Sequence, residues 1–140
     1  MCKRLNGQSY LYPAHSDLPE FRYDDRYPFS STGCDQLGPL YVLPVYGAEA
    51  AKMYKVYVII YTCAATRAVI LDVVHSCTAK SFLQSFRRFI ARRGCPALMI
   101  SDNGAQFIAE ETKEFASNHM IDWKYNVPLS PWTGGMWERF

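Results

Sequence analysis

Three carboxylates, Asp35, Asp102 and Glu138, are the residues of this chain best suited to do chemistry. Asp102 ends an apolar run, Ile100-Ser101-Asp102-Asn103-Gly104, just where a turn begins. Asp35 stands immediately before another apolar run, 37–45, and Glu138 follows the pair Gly134-Gly135, with 35 residues between it and Asp102. Two acids at strand ends and one on a later helix can converge on a divalent cation. Oxygen-only ligands suit Mg²⁺ or Mn²⁺, and paired ions of this kind activate an attacking oxygen while stabilising a leaving one. That is chemistry for cutting and joining phosphodiesters. Each acid also has an ordinary reading. Asp35 can cap or solvate a strand start, Asp102 is a turn-former before glycine, and Glu138 suits a helix N-terminus on dipole grounds.

The elements that must position these acids are legible in the pattern. Segments 37–45, 54–63 and 67–74 have the Val, Ile, Leu and Tyr content of strands, with short links that imply an antiparallel meander. Phe82, Leu83, Phe86, Phe89 and Ile90 form an apolar stripe at helical period. Thr78 is its expected N-cap, Gly94 its stop, and Pro96 prevents continuation. A short buried strand over 97–101, a helix over 107–118 with Phe107, Thr112 and Phe115 inward, and a strand over 122–127 complete the order. A loop follows over 128–135, and a helix is expected from about Met136. Residues 1–33 carry Pro, Gly, Ser, Asp and Tyr without a sustained apolar period and read as an extended leader.

Composition bounds the alternatives. A chain of 140 residues, 49% apolar and 15% aromatic, has room for one packed domain and is not disordered throughout. A net charge of +2 permits nucleic-acid binding without arguing for it. The longest apolar stretch, 56–65, is too short to span a bilayer, and the N-terminus lacks the apolar core of a signal peptide. Of five scattered cysteines, Cys34, Cys63, Cys77 and Cys95 read as free thiols in a reducing compartment, with Cys2 the exception. Arg87, Arg88, Arg92 and Arg93 crowd one helix end, either as a phosphate-binding stripe or as a solvated face that complements the helix dipole. Asp72, Glu110, Glu111 and Glu114 are expected on the solvated surface. His75 and His119 are expected to be structural.

Taken together, Ser101-Asp102-Asn103-Gly104, Gly134-Gly135-Met136-Trp137-Glu138-Arg139 and the spacing of the acids resemble the catalytic core of retroviral and retrotransposon integrases. The closer resemblance is to BEL/Pao-type retrotransposon integrases. It rests on the segment from Pro28-Phe29 to Gly33-Cys34-Asp35-Gln36-Leu37-Gly38-Pro39-Leu40-Tyr41-Val42, on Thr62-Cys63-Ala64-Ala65-Thr66-Arg67-Ala68-Val69, and on Arg87-Arg88-Phe89-Ile90-Ala91-Arg92-Arg93-Gly94.

The resemblance implies an α/β, RNase H-like five-stranded mixed sheet flanked by helices, with the first and fourth strands parallel neighbours. It implies a polynucleotidyl transferase whose catalytic and metal-binding residues are Asp35, Asp102 and Glu138, holding two Mg²⁺ or Mn²⁺ ions. It implies DNA as partner, both retroelement ends and target, with Asn103, Gln106, Ser130, Trp132, Thr133 and Arg139 as contacts. A homodimer through the core and a nuclear location follow from the same likeness.

Domain expectations are a leader over 1–24 and the core over 25–140. Cys2-Lys3-Arg4 resembles the second half of an upstream zinc-binding motif, so the chain is expected to be truncated at both ends. With only Arg139 and Phe140 after it, Glu138 is expected to be loosely held and strand transfer weak. Two rival readings stay open: an RNase H-like nuclease, and an inactive fragment serving as a nucleic-acid-binding or dimerisation module.

Overall fold

A computed structural model describes residues 17, 19–23, 27–43 and 53–126. Five strands form one mixed sheet in the order β3-β2-β1-β4-β5. Their ranges are β1 Ser31–Val42, β2 Tyr54–Cys63, β3 Val69–Val74, β4 Leu98–Ser101 and β5 Asp122–Tyr125. The first three form the expected antiparallel meander, and β4 and β5 continue the sheet from β1 in parallel. The helices are α1 Ala79–Arg93, α2 Ala105–Ile108 and α3 Glu110–Asn118, and a single 3₁₀ turn covers Glu20–Arg22.

Helix α1 forms where the apolar stripe and caps require. Thr78 accepts a hydrogen bond from the Ser81 N–H, and the Gly94 N–H closes the far end on the Ile90 carbonyl. Its buried face carries Phe82, Leu83, Phe86 and Phe89 against the sheet. There Cys34, Ile59, Tyr61, Cys63, Val74 and Met99 project from one sheet face, in strict alternation along the strands. The Tyr61 ring stacks on Phe89 at a centroid distance of 4.4 Å and its hydroxyl pairs with Ser85 Oγ at 3.0 Å. Burying that hydroxyl beside a partner avoids the cost of an orphaned polar group.

Several expectations are corrected. β1 begins at Ser31, so Asp35 lies inside a strand and not before one. Cross-strand pairing of Thr32 to Cys63 and of Cys34 to both Tyr61 and Ser101 overrides the weak strand signal of Gly33 and Cys34. The single helix expected over 107–118 is two, starting at Ala105 and broken at Ala109, which is extended at ψ 146°. The break is held by the Thr112 hydroxyl donating to the Gln106 carbonyl at 2.7 Å. Asp72 is only partly solvated. It accepts two bonds from Arg88, at 3.0 and 2.6 Å, on the helix-covered side of β3.

The leader expectation is amended as well. Phe21 packs against Leu98 and Ile100, and Phe29 to Thr32 are buried. Glu110, Glu111 and Glu114 are exposed as expected, and His119 is held structurally by its ring contact with Phe115 and the Phe115 carbonyl. Cys34, Cys63, Cys77 and Cys95 are free thiols. The loop and helix expected after Asn126, and Cys2, lie outside the described residues.

Candidate active site

After α1 the chain returns as β4, parallel to and beside β1, and this places the first two acids together. The last paired positions of β1 and β4 are Cys34 and Ser101. One residue further along each strand stand Asp35 and Asp102, on neighbours about 4.8 Å apart in the general geometry of sheets. Alternation also separates their surroundings. Cys34 is fully buried among the core residues under α1, so Asp35 points from the opposite face of the sheet.

Each carboxylate is half restrained. Asp35 Oδ1 accepts the Gln36 N–H at 2.7 Å, and Asp102 Oδ1 accepts the Gly104 N–H at 3.0 Å in a tight Asx turn. Among the described residues neither Oδ2 has a hydrogen-bond partner. Gly104 packs tightly here: a Cβ there would stand 3.1 Å from Asp102 Oδ1 and 2.7 Å from the Gln106 amide nitrogen, so both side chains would have to shift.

The two acids feel one another. Burial pushes the Asp35 carboxyl up from its ordinary value, the Gln36 N–H draws it back, and the Asp102 charge raises it again. Behind them, burial drives the Cys34 thiol well up, with the charges of Asp35 and Asp102 adding to it. Cys34 is therefore a neutral packing residue. Two carboxylates crowded together, each with a free oxygen, are a hard donor set that fits a divalent cation. Among the described residues no third His, Cys, Asp or Glu joins them. Asn103 is exposed, with its amide donating to the Asn126 carbonyl at 2.8 Å, and Gln106 is half-buried beside Gly104. Glu138, Ser130, Trp132, Thr133 and Arg139 lie outside the described residues.

Compared with known protein families, residues 41–131 match the integrase core domain, which is well over half of the chain. The chain belongs to that family. No curated protein matches it. Among solved structures, this integrase core is similar to a chain of the simian T-cell lymphotropic virus intasome in complex with PP2A regulatory subunit B56 gamma. The TM-score is 0.66 at 18% identity, over 91% of this chain and 42% of that one, so this chain spans less than half of that relative's length. It is similar to the HTLV-2 integrase catalytic core domain in complex with magnesium, with TM-score 0.56 and 22% identity over 79% of this chain and 68% of that one. It is also similar to the catalytic core domain of BIV integrase, with TM-score 0.57 and 18% identity over 79% and 63%. At such identities the likeness is one of fold, and the RNase H-like architecture expected from the sequence is the one observed.

The basic helix end divides into separate roles. Arg88 is tied to Asp72, while Arg87 lies over the Phe115 ring at 5.5 Å and Arg93 over Phe29 at 5.6 Å. All four arginines, Arg92 included, are exposed. Among the described residues no helix is long and apolar enough to cross a membrane. Sequence reasoning passed over Ser101 and Trp123, which meet beside Asp102. The signal that could have found them is the period-2 pattern of β5, which sets Trp123 on the inner face level with the end of β4.

Proposed function

We propose that this integrase core is the catalytic domain of a BEL/Pao-type retroelement integrase, a divalent-metal-dependent polynucleotidyl transferase that joins retroelement DNA ends to target DNA. The observation that carries the reading is the side-by-side placement of Asp35 and Asp102, each one residue past the last paired position of parallel β1 and β4, with one oxygen of each carboxylate unbonded among the described residues. Asp35, Asp102 and Glu138 are the proposed ligands for two Mg²⁺ or Mn²⁺ ions. When bound, such ions neutralise charge on the scissile phosphate and raise the nucleophilicity of water or of a DNA 3′-hydroxyl. The chain's own part is to hold the carboxylates at fixed separation, through the Gln36 and Gly104 N–H groups. The fold of a protein named as an integrase core in complex with magnesium supports the same choice of ion. Asn103, Gln106, Ser130, Trp132, Thr133 and Arg139 are proposed DNA contacts. A homodimer and a nuclear site of action complete the reading.

The experiment uses a branched oligonucleotide that mimics the joined product, which needs no knowledge of the end sequence, with Mn²⁺ as cofactor. Resolution into a sealed duplex and a free end, lost by a hundredfold or so in Asp35→Asn and Asp102→Asn, supports the reading. Cleavage of an RNA–DNA hybrid in place of strand joining would make the protein a ribonuclease of the same fold. Failure on both substrates by protein that binds Mn²⁺ would leave a non-catalytic nucleic-acid-binding or dimerisation module.

A further inference from the structure

Asp102 is anchored to the aromatic core through two side chains that no part of the proposed chemistry has used. The indole Nε1–H of Trp123 donates to Ser101 Oγ at 3.0 Å, and Ser101 Oγ–H donates to the Asp102 carbonyl at 2.8 Å. The directions are not interchangeable. An indole nitrogen can only donate, so Ser101 must accept from it, and the single hydroxyl proton is left for Asp102. Ser101 is fully buried, so water does not substitute for either bond. Trp123 is itself wedged among Phe82, Phe86 and Phe107, at centroid distances of 6.0, 5.7 and 6.5 Å. The strand on which it sits also grips the same residue from the other side, since the Asn126 N–H donates to the Ser101 carbonyl at 2.9 Å.

We propose that Ser101 and Trp123 are positioning residues for the candidate metal site, with Ser101 relaying the rigid aromatic core to the backbone of Asp102. This rests on the metal-binding reading of Asp35 and Asp102. Asp102 stands just past the end of β4; the peptide before it is held by the Asn126 N–H on the Ser101 carbonyl, and the peptide after it by the Ser101 hydroxyl. Its carbonyl is held by Ser101 and its Oδ1 by the Gly104 N–H, and together these define where the free Oδ2 points. Release of the carbonyl lets the peptide rotate and carries the carboxylate away from Asp35. Loss of an outer hydrogen bond behind a metal ligand costs on the order of tenfold in affinity or more.

Mn²⁺ titration of the full chain, read from the disappearance of the free-ion electron paramagnetic resonance signal, tests this directly. Circular dichroism confirms folding of each variant. Ser101→Ala is expected to bind Mn²⁺ about tenfold more weakly than wild type. Ser101→Thr, which restores the hydroxyl, is expected to return to within about threefold. A purely structural role predicts loss of melting temperature in Ser101→Ala with wild-type affinity in the folded protein, and that result overturns the proposal. Should Ser101→Ala not fold, Trp123→Phe decides in its place, because it keeps the ring and removes only the N–H donor; wild-type affinity there overturns the proposal equally. Absence of Mn²⁺ binding by wild type, or undiminished binding by Asp102→Asn, is a different failure and removes the metal-site reading on which the proposal rests.

Discussion

Asp35→Asn should make the cation-free protein more stable at neutral pH, the opposite of the usual effect of altering a half-buried residue in a central strand. Asparagine keeps an oxygen for the Gln36 N–H and removes a charge that burial disfavours first and the nearby Asp102 charge disfavours further; the second part can be sized. Two unit charges about 5 Å apart repel by roughly 3 kcal/mol at an effective dielectric constant near 20. Asp102 is exposed, so solvent screening reduces this to about 1 kcal/mol. For a domain of this size that corresponds to a rise in Tm of roughly 4 °C. The pH dependence has a definite sign. The folded-state value of Asp35 is raised, so the folded protein holds that proton more tightly than the unfolded chain does. Below the ordinary carboxylate value of about 3.9 both states are protonated and the cost is absent. It grows as pH rises through the folded value and is complete above it. The advantage of Asn over Asp should accordingly be full at pH 7.5 and vanish toward about pH 4. Divalent cation should reverse the order: at a hundredfold excess over the dissociation constant wild type gains about 2.7 kcal/mol, and the variant far less. Differential scanning fluorimetry across pH, with and without MgCl₂ or MnCl₂, reads all of this. A variant less stable than wild type at pH 7.5 without cation, or one that cations stabilise as much as wild type, would refute the reasoning.

Two further substitutions separate the site from the scaffold. Gly104→Ala is allowed by its backbone at φ −55°, but its Cβ must displace Asp102 Oδ1; Mn²⁺ affinity should fall on the order of tenfold with little change in Tm, measured by titration and melting. Phe86→Ala removes a fully buried ring packed against Tyr61, Phe82, Phe89, Phe115 and Trp123 and should cost about 3–5 kcal/mol in urea unfolding, with loss of more than about 10 °C in Tm.

What the sequence disclosed was local or periodic. The Phe82 to Ile90 stripe between Thr78 and Gly94 specified α1 almost to the residue, because cap and period are encoded in neighbouring positions. The parallel pairing of β1 with β4 followed from the family resemblance and is observed. What stayed hidden depends on partners far along the chain. The Asp72–Arg88 pair joins a strand to a helix 16 residues later, and nothing in the strand pattern marks it. The break at Ala109 carries no glycine or proline; it exists because the Thr112 hydroxyl finds the Gln106 carbonyl. That Asp35 and Asp102 would stand on neighbouring strands was legible, though Asp35 lies within β1 and not before a strand. The Trp123–Ser101 link behind it spans 22 residues and shows only once β5 is seated beside β4.

Whether Asp35 and Asp102 share a divalent cation is read directly by anomalous diffraction from crystals soaked in MnCl₂. An anomalous peak is expected within about 2.2 Å of a carboxylate oxygen of both residues, absent from Asp102→Asn crystals grown and soaked in the same way. Manganese bound elsewhere in the wild-type protein, with no density between these two carboxylates, would contradict a shared site.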